Sequence, residues 1–455
     1  MAEPKNQRRE IIGWLAYDWA NHAFFTLVLG VLIGPYITGL AQGSVGENGP
    51  VVTVGGLTLV TAKGLYTFAI SASVLLQVLF LPFLGAVADY THLKKPLLAG
   101  FCYLGALATA AMYLTTGERY LSASVLFIVA NLGAGASVVF FNSYLIDITT
   151  ENMRDRVSSW SFAAGYFGGF VTLIAGFLLL LRSTDLGITQ GDATRICFLF
   201  AGLWWGLFAV ITLVLLKKRA PQRAAPEGRS FIGAGFAELW ATFRELWHLP
   251  QTFRFLLAYL LYNDGIQTVI GVAALFLSQE IFVAKGLAVD QSVLFISFGI
   301  AQFVAFIGAL MFERIAHFTS TKTAIIVSLV IWSLVVIYGY AFLHTVGEAY
   351  LMSGAIGFVL GGSQALSRSL FSQMIPKGRE AAFFGIYAIS ERGTSWIGPI
   401  VFGLVAQITD SYRPAILALI VFFVVGCAIL FFVKVDKAIH DAGNETPAER
   451  EAEAV

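Results

Sequence analysis

The stretch KKRAPQRAAPEGRSFIGAGFAELWATFRELWHLP, residues 217–250, decides how this chain is organised. It is the longest polar interruption in a sequence of 455 residues that is 57% hydrophobic and only 13% charged, with a mean hydropathy of +0.76. Soluble domains are about half apolar and a quarter charged, so the bulk of this chain belongs in lipid. A bilayer-crossing helix needs about 20 apolar residues. On one side of the interruption such runs lie near 11–40, 64–88, 96–114, 121–146, 157–181 and 195–216. On the other they lie near 251–280, 291–312, 322–343, 348–373, 380–408 and 411–434. The reading is an all-α polytopic membrane protein of twelve transmembrane helices in two six-helix bundles, residues 1–216 and 251–434. Residues 217–250 form the linker between them, and 435–455 form a charged tail too poor in apolar surface to fold, hence disordered.

Basic residues test this division independently, because lysine and arginine accumulate in cytoplasmic loops. One side of the membrane receives Lys5, Arg8 and Arg9, Lys94 and Lys95, Arg154 and Arg156, the linker cluster Lys217, Lys218, Arg219, Arg223, Arg229 and Arg244, then Arg314, Lys322, Lys377, Arg379, Lys434 and Lys437. The other receives only Lys63, Arg119, Arg182, Arg195, Lys285 and Arg413. Both termini are therefore expected in the cytoplasm. The first run follows a basic start but is too long for a signal peptide and has no A-x-A site, so it stays as a span. In the linker, Phe236, Leu239, Trp240, Phe243, Leu246 and Trp247 recur at helical spacing, which predicts an amphipathic helix on the cytoplasmic face.

A formal net charge of +1 gives no reason to expect nucleic acid or another polyanion. Cys102, Cys197 and Cys427 are dispersed in apolar runs and read as small core residues. The histidines are scattered, and H-E-x-x-H, G-x-S-x-G and the phosphate-loop pattern are missing. Neither an enzyme nor a metal or cofactor site is indicated. The halves also resemble one another. A shift of 242 residues lays Tyr17, Asn21 and Thr26 on Tyr259, Asn263 and Thr268, and His22 on Asp264.

Ionisable groups deep in a span are costly, about 2.5–3.5 kcal/mol each even on insertion scales, and mark function when they persist. Here they are Asp18 and His22 in the first span, Asp264 in the seventh, Arg368 in the tenth, and Glu391 and Arg392 in the eleventh. The amides Asn21, Asn131, Asn142, Asn263, Gln267, Gln302 and Gln364 join them. Arg368 and Arg392 suit a substrate carboxylate, since guanidinium matches it bidentately. The competing reading is internal pairing, Arg368 with Asp264. The expected substrate-binding set is Asn21, His22, Asn131, Asn263, Asp264, Gln267, Gln364, Arg368 and Arg392, and the groups able to exchange protons are Asp18, His22, Asp264 and Glu391. Glycine clusters at 133/135, 165/168/169 and 354/357/361/362 permit close helix approach. Gly34-Pro35 and Gly398-Pro399 are expected to kink their spans.

At the cytoplasmic end of the second span, GAVADYTHLKK (85–95) resembles the major facilitator signature G-x-x-x-D-x-x-G-R-[RK], departing from it at His92-Leu93. The resemblance implies a gating cluster of Gly85, Asp89, Lys94, Lys95 and Asp147, with either lysine pairing Asp147 to latch the halves together. The helices that hold most of the buried polar groups, 1, 4, 7 and 10, are those that line the central cavity of that fold.

Four stretches narrow the resemblance: YDWANHAF (17–24), VSSWSFAAGYFGG (157–169), FLLAYLLYNDGIQTVI (255–270) and GGSQALSRSLFSQMIPKGREAAFFGIYAISERG (361–393). They are similar to the UMF permeases, which include the fungal vacuole effluxers linked to autophagy. The second departs at Trp160, where the resemblance leads one to expect a small or basic residue. The resemblance implies efflux of small metabolites, with amino acids as the substrate class of the vacuolar members. The buried polar set of helices 1, 7, 10 and 11 adds protons as a coupling partner, and the chain is expected to act as a monomer in the lipid bilayer. The short loops suit a bacterial inner membrane, the alternative being a vacuolar membrane. Two other readings stay open: another small solute such as a drug, sugar or organic anion, and a non-transporting membrane sensor or scaffold built on the linker helix.

Overall fold

The computed structural model describes residues 5–46, 49–55, 57–62, 65–89, 93–218, 240–287, 290–392, 397–409, 411–446 and 449. Twelve crossings follow in order. The first half holds α1 (Arg8–Val45), α2 (Leu65–Asp89), α3 (Lys94–Leu114), α4 (Tyr120–Ile148), α5 (Glu151–Leu181) and α6 (Gln190–Leu215). The second holds α7 (Pro250–Leu277), α8 (Gln291–Phe318), α9 (Thr321–Ala341), α10 (Val346–Gln373), α11 in two described parts (Glu380–Arg392 and Ile397–Thr409) and α12 (Tyr412–Phe431). All but α2 and α11 are individually long and apolar enough to cross a bilayer. In α2 the apolar run is shorter, Phe68–Leu81, and α11 is described as two segments of 13 residues.

The all-α expectation needs one addition. Between α1 and α2 an antiparallel hairpin pairs β1 (Pro50–Val54) with β2 (Leu57–Thr61). These runs of β-branched residues flank Gly55, whose φ of +58° only glycine adopts cheaply. The kink expected at Gly34-Pro35 takes the form of a widened π-type stretch, Ala23–Leu32, just before the proline. Proline lacks the N–H that would continue the ladder and clashes with the preceding turn, so a wider turn relieves it.

Close packing in both halves rests on glycine. From α5, Gly165, Gly168 and Gly169 lie against His22, Trp19 and Thr26 of α1. In the second half, Gly308 of α8 and Gly357 and Gly361 of α10 each press on a backbone carbonyl of the facing helix, leaving less than 3.0 Å for a Cβ. The internal repeat is visible here: Thr26 sits on Gly169 of α5, and its counterpart Thr268 sits on Gly398 of α11. Between the halves, α5 runs along α8 and α10, while the Glu380–Arg392 part of α11 packs on α2 and α4. The halves are thus joined at the end that carries the basic loops and, along α5 and α8, up to Phe177 and Phe295 near the other end, whose rings are 5.1 Å apart.

Both chain ends close off helices at this same end. Lys5 Nζ donates to the Ile146 carbonyl at 2.7 Å and the Asn6 backbone N–H to the Ile148 carbonyl at 2.8 Å, supplying donors to the last turn of α4. The tail, expected to be disordered from 435, instead forms a helix over Val435–Asp441 with Ala438 and Ile439 buried. Asn444 Nδ2 then reaches the Gln373 and Ile375 carbonyls at 2.9 Å each. Helix-end carbonyls of α10 recruit this segment, an attraction that composition alone does not reveal. Of the linker, residues 240–247 are helical and 219–239 lie outside the described residues. The expected apolar face divides: Leu246 is buried, whereas Trp240, Phe243 and Trp247, on one stripe, are exposed. Arg379 of the α10–α11 loop holds this helix through Glu245 and Thr242.

Candidate functional site

Arg368, five residues before the end of α10, reaches out of its own half into the other. Its Nε donates to Ser158 Oγ at 2.9 Å and its Nη2 to the Ser158 carbonyl at 2.9 Å, both on α5. Its Nη1 donates to Asn142 Oδ1 of α4 at 3.2 Å and to Asp18 Oδ2 of α1 at 3.4 Å. The rings of Phe162, Trp14 and Phe141 lie 4.2, 4.8 and 5.7 Å from the guanidinium carbon. Asp18 in turn accepts from Ser161 Oγ at 2.5 Å. Side-chain exposure of 4% for Arg368 and 7% for Asp18 makes this a buried ion pair, for which hydrogen bonds to the remaining donors decide whether burial is tolerable. The expected partner, Asp264, is not the one used. Asp264 is too deep along α7, whereas Asp18 meets Arg368 because α1, α4 and α5 converge on α10. Asp18 is buried, as its place deep in the first span led one to expect.

One turn above Arg368 the halves touch again, through Tyr166 Oη donating to Gln364 Oε1 at 2.5 Å. The His22 ring lies 5.4 Å from the Tyr166 ring, edge to face, over Gly165. Its Nδ1 is 2.9 Å from the Asp18 carbonyl and 3.1 Å from Asn21 Oδ1. His22, Gln364 and Gln267 are partly exposed, while Asn21, Asn263 and Asp264 are buried. Asp264 Oδ2 accepts from the Gly398 N–H at 3.0 Å. The structure therefore gathers Asp18, Asn21, His22, Gln364 and Arg368 into one connected group and places Asp264 apart from it.

Asn131 belongs to neither. Its Nδ2 donates to Ser73 Oγ of α2 at 2.7 Å, between α2 and α4. Near it Gln77 is fully buried, its amide against Gly135 and both amide atoms without a partner among the described residues. Glu391 and Arg392 lie in the described backbone of α11, but their side chains, like the side chain of Asp89 and the surroundings of Gly85 at the end of α2, lie outside what is described.

At the basic end one of the two lysines makes the expected pair with Asp147, but it does so within the first half, between α3 and α4, so the pair does not itself tie one half to the other. Lys94 Nζ pairs with Asp147 Oδ2 at 3.0 Å with both side chains buried. Lys95 turns away and donates to the Leu216 carbonyl at 2.5 Å at the end of α6, because adjacent helical positions point about 100° apart. Two contributors escaped the sequence reading. Arg154 at the start of α5 donates across the halves to the Ser372 carbonyl at 3.0 Å, with Glu151 at 3.6 Å beside it. Glu380 of α11, buried, accepts from the Gly378 N–H at 2.9 Å and faces Lys94 and Asp147 across the boundary. Both residues occur in first turns of helices that follow charged loops, where nothing in the sequence separates a buried charge from a solvated one. Trp160, the odd residue of its stretch, carries the Arg156 guanidinium 4.5 Å over its ring. An apolar cavity of about 320 Å³ lies between α5 and α8, walled by residues such as Phe170, Phe177, Phe295 and Phe303, and carries no polar group of this set.

The family model described as "Vacuole effluxer Atg22 like" matches residues 6–443, which takes in every residue of both clusters. The chain belongs to this family. An MFS-type transporter of Bacillus subtilis (strain 168), YxiO, is 29% identical over 92% of this chain and 94% of its own length. Autophagy-related protein 22 of Coccidioides immitis (strain RS) is 26% identical over 96% and 88%. Among solved structures, the major facilitator transporter FucP in its outward conformation superposes with a TM-score of 0.67 at 14% identity, covering 94% of this chain and 98% of that one. The human organic anion transporter MFSD10 gives 0.66 at 14% identity, covering 94% and 100%. At that identity the likeness establishes the fold, the major facilitator architecture, and the family relationship makes the chain a transporter of that type.

Proposed function

We propose that this Atg22-family transporter moves small metabolites by alternating access, with amino-acid efflux as its activity and protons as the coupling ion. The observation that carries the reading is the Arg368 cluster: a guanidinium from one half held by a carboxylate, an amide and a serine of the other, with a second serine on the carboxylate. In this state it is the floor of the pathway, and the Lys94–Asp147 and Arg154–Ser372 contacts lie behind it. A zwitterion entering from above meets the partly exposed Gln364, His22 and Gln267 first, with Asn21 behind His22. Its carboxylate is then able to compete with Asp18 for Arg368, and losing that ion pair weakens the bond between the halves. This converts substrate binding into inward opening, since a ligand shifts a conformational equilibrium only by differential contacts. The substrate role extends to Asn263, and Arg392 is the second candidate for the carboxylate. Asn131, held between α2 and α4, contributes more through helix packing than through contact with cargo.

Basic loops and both termini at one end support placing that end in the cytoplasm, with the cell membrane of a bacterium as the site of action and a vacuolar membrane as the alternative. The protein acts as a monomer, because each twelve-helix chain contains a full pathway. The test is counterflow of labelled amino acids in proteoliposomes. Exchange that disappears in Arg368→Ala supports the reading. If no amino acid exchanges while a sugar, drug or organic anion raises the melting temperature of the purified protein, the cargo is of that other class.

A further inference from the structure

We propose that Asp264 is the site that carries the coupling proton, separate from the Arg368 cluster and bound at its Oδ1 oxygen. The inference rests on the transport reading above, but its test does not need the cargo. Asp264 is 1% exposed. Its Oδ2 is engaged by the Gly398 N–H at 3.0 Å, in the first turn of the Ile397–Thr409 segment. Its Oδ1 is buried and has no partner among the described residues. Counting along α7 from Pro250, it lies about 21 Å up the helix, the depth at which a carboxylate lacking a cation is hardest to keep charged.

Among the described residues its surroundings supply no cation. On α7 itself, Thr268 donates to the Asp264 carbonyl at 2.7 Å and the Tyr262 hydroxyl bonds Ser367 at 2.6 Å. From α12, Phe422 and Phe423 close over Gly265. From α10 the buried charge is Arg368, which is committed to Asp18. From α11, Tyr387 stacks on Tyr259 at 4.4 Å, and the side chains of Glu391 and Arg392 lie outside the described residues. A proton fits this geometry without rearrangement. One proton from water forms the O–H bond at Oδ1, the carboxylate becomes a neutral acid, Oδ2 keeps its Gly398 contact as the acid's carbonyl oxygen, and the same proton leaves to water on the other side. Gly398 admits this contact because a Cβ there would collide with Thr268 Oγ1. The repeat places His22 at the equivalent position of α1, where it meets α5 instead.

The experiment is infrared difference spectroscopy of the full chain in lipid between about pH 9 and about pH 5. The expected result is a protonated-carboxyl band that appears on acidification, shifts in Asp264→Glu and is lost in Asp264→Asn. A band that persists unchanged in Asp264→Asn, or none in the wild type, overturns the assignment. Should Asp264→Asn fail to fold, dicyclohexylcarbodiimide on the wild type decides, because it modifies buried protonated carboxyls. An adduct located on Asp264 by mass spectrometry supports the site, and no adduct on that peptide overturns it. A melting temperature raised by NaCl but not by KCl would give the site to sodium and overturn the proton.

Discussion

Arg368 of the second half and Asp18 of the first meet at 3.4 Å inside the protein, with no more than 7% of either side chain exposed. The pair joins the two bundles that flank the polar linker at 217–250, across 350 positions of sequence. Removing one partner of a buried pair leaves the other uncompensated, at a typical cost of about 3–5 kcal/mol.

For this pair the cost is therefore expected to be strongly non-additive. Arg368→Ala and Asp18→Asn each lower the thermal stability of the purified protein, and the double variant loses less than the sum, with a coupling of about 1–3 kcal/mol. Melting curves of the four proteins in one detergent measure it. Additive losses would mean that the pair does not act as a unit.

Lys94 and Lys95 are neighbours with different duties. Lys94→Ala abandons the buried Asp147 carboxylate and is expected to cost several-fold more stability than Lys95→Ala, which gives up a hydrogen bond to the Leu216 carbonyl worth about 1 kcal/mol. Equal losses in chemical denaturation would contradict the assignment of the buried Asp147 partner to Lys94.

The α8–α10 seam offers a sharper contrast. Gly357→Ala and Gly361→Ala push a methyl into the Ala301 and Ala305 carbonyls and are expected to cost about 1–3 kcal/mol each, seen as reduced yield and lower melting temperature. Gly354→Ala meets only an Ile300 methyl at 3.8 Å and should be neutral.

The tail is expected to be structural. Ending the chain after Lys434 removes the helix at Val435–Asp441 and the Asn444 contacts to α10, and should raise amide exchange at the end of α10. Ending it after Glu449 should leave exchange there unchanged.

Much of the fold was legible because its signals are one-dimensional. Hydropathy gave the twelve crossings, loop charge gave their alternation, and the repeat that pairs Thr26 with Thr268 returns in space as matched contacts with Gly169 and Gly398. The membership of the central cluster was legible in part: Asp18, His22, Asn142, Gln364 and Arg368 stand out as polar groups in apolar runs. Their pairing was not, because Arg368 chooses between Asp18 and Asp264 by helix rotation and depth, which residue type does not encode. Ser158, Ser161 and Tyr166 were passed over since serine and tyrosine are tolerated in spans without any function. The ordered tail was missed for a related reason: a short segment is fixed by tertiary partners, here carbonyls at the end of α10, and not by its own composition. The hairpin was missed because its two five-residue strands sit in a short loop between long apolar runs.

The most direct measurement of the central claim is counterflow of labelled amino acids into proteoliposomes by the wild type, Arg368→Ala and Asp18→Asn, each reconstituted at matched density and checked for folding. The account predicts exchange by the wild type and at least about tenfold slower exchange by both variants, a difference of about 1.4 kcal/mol in the rate-limiting barrier. Exchange at wild-type rate in both variants would show that the Arg368–Asp18 contact has no part in transport.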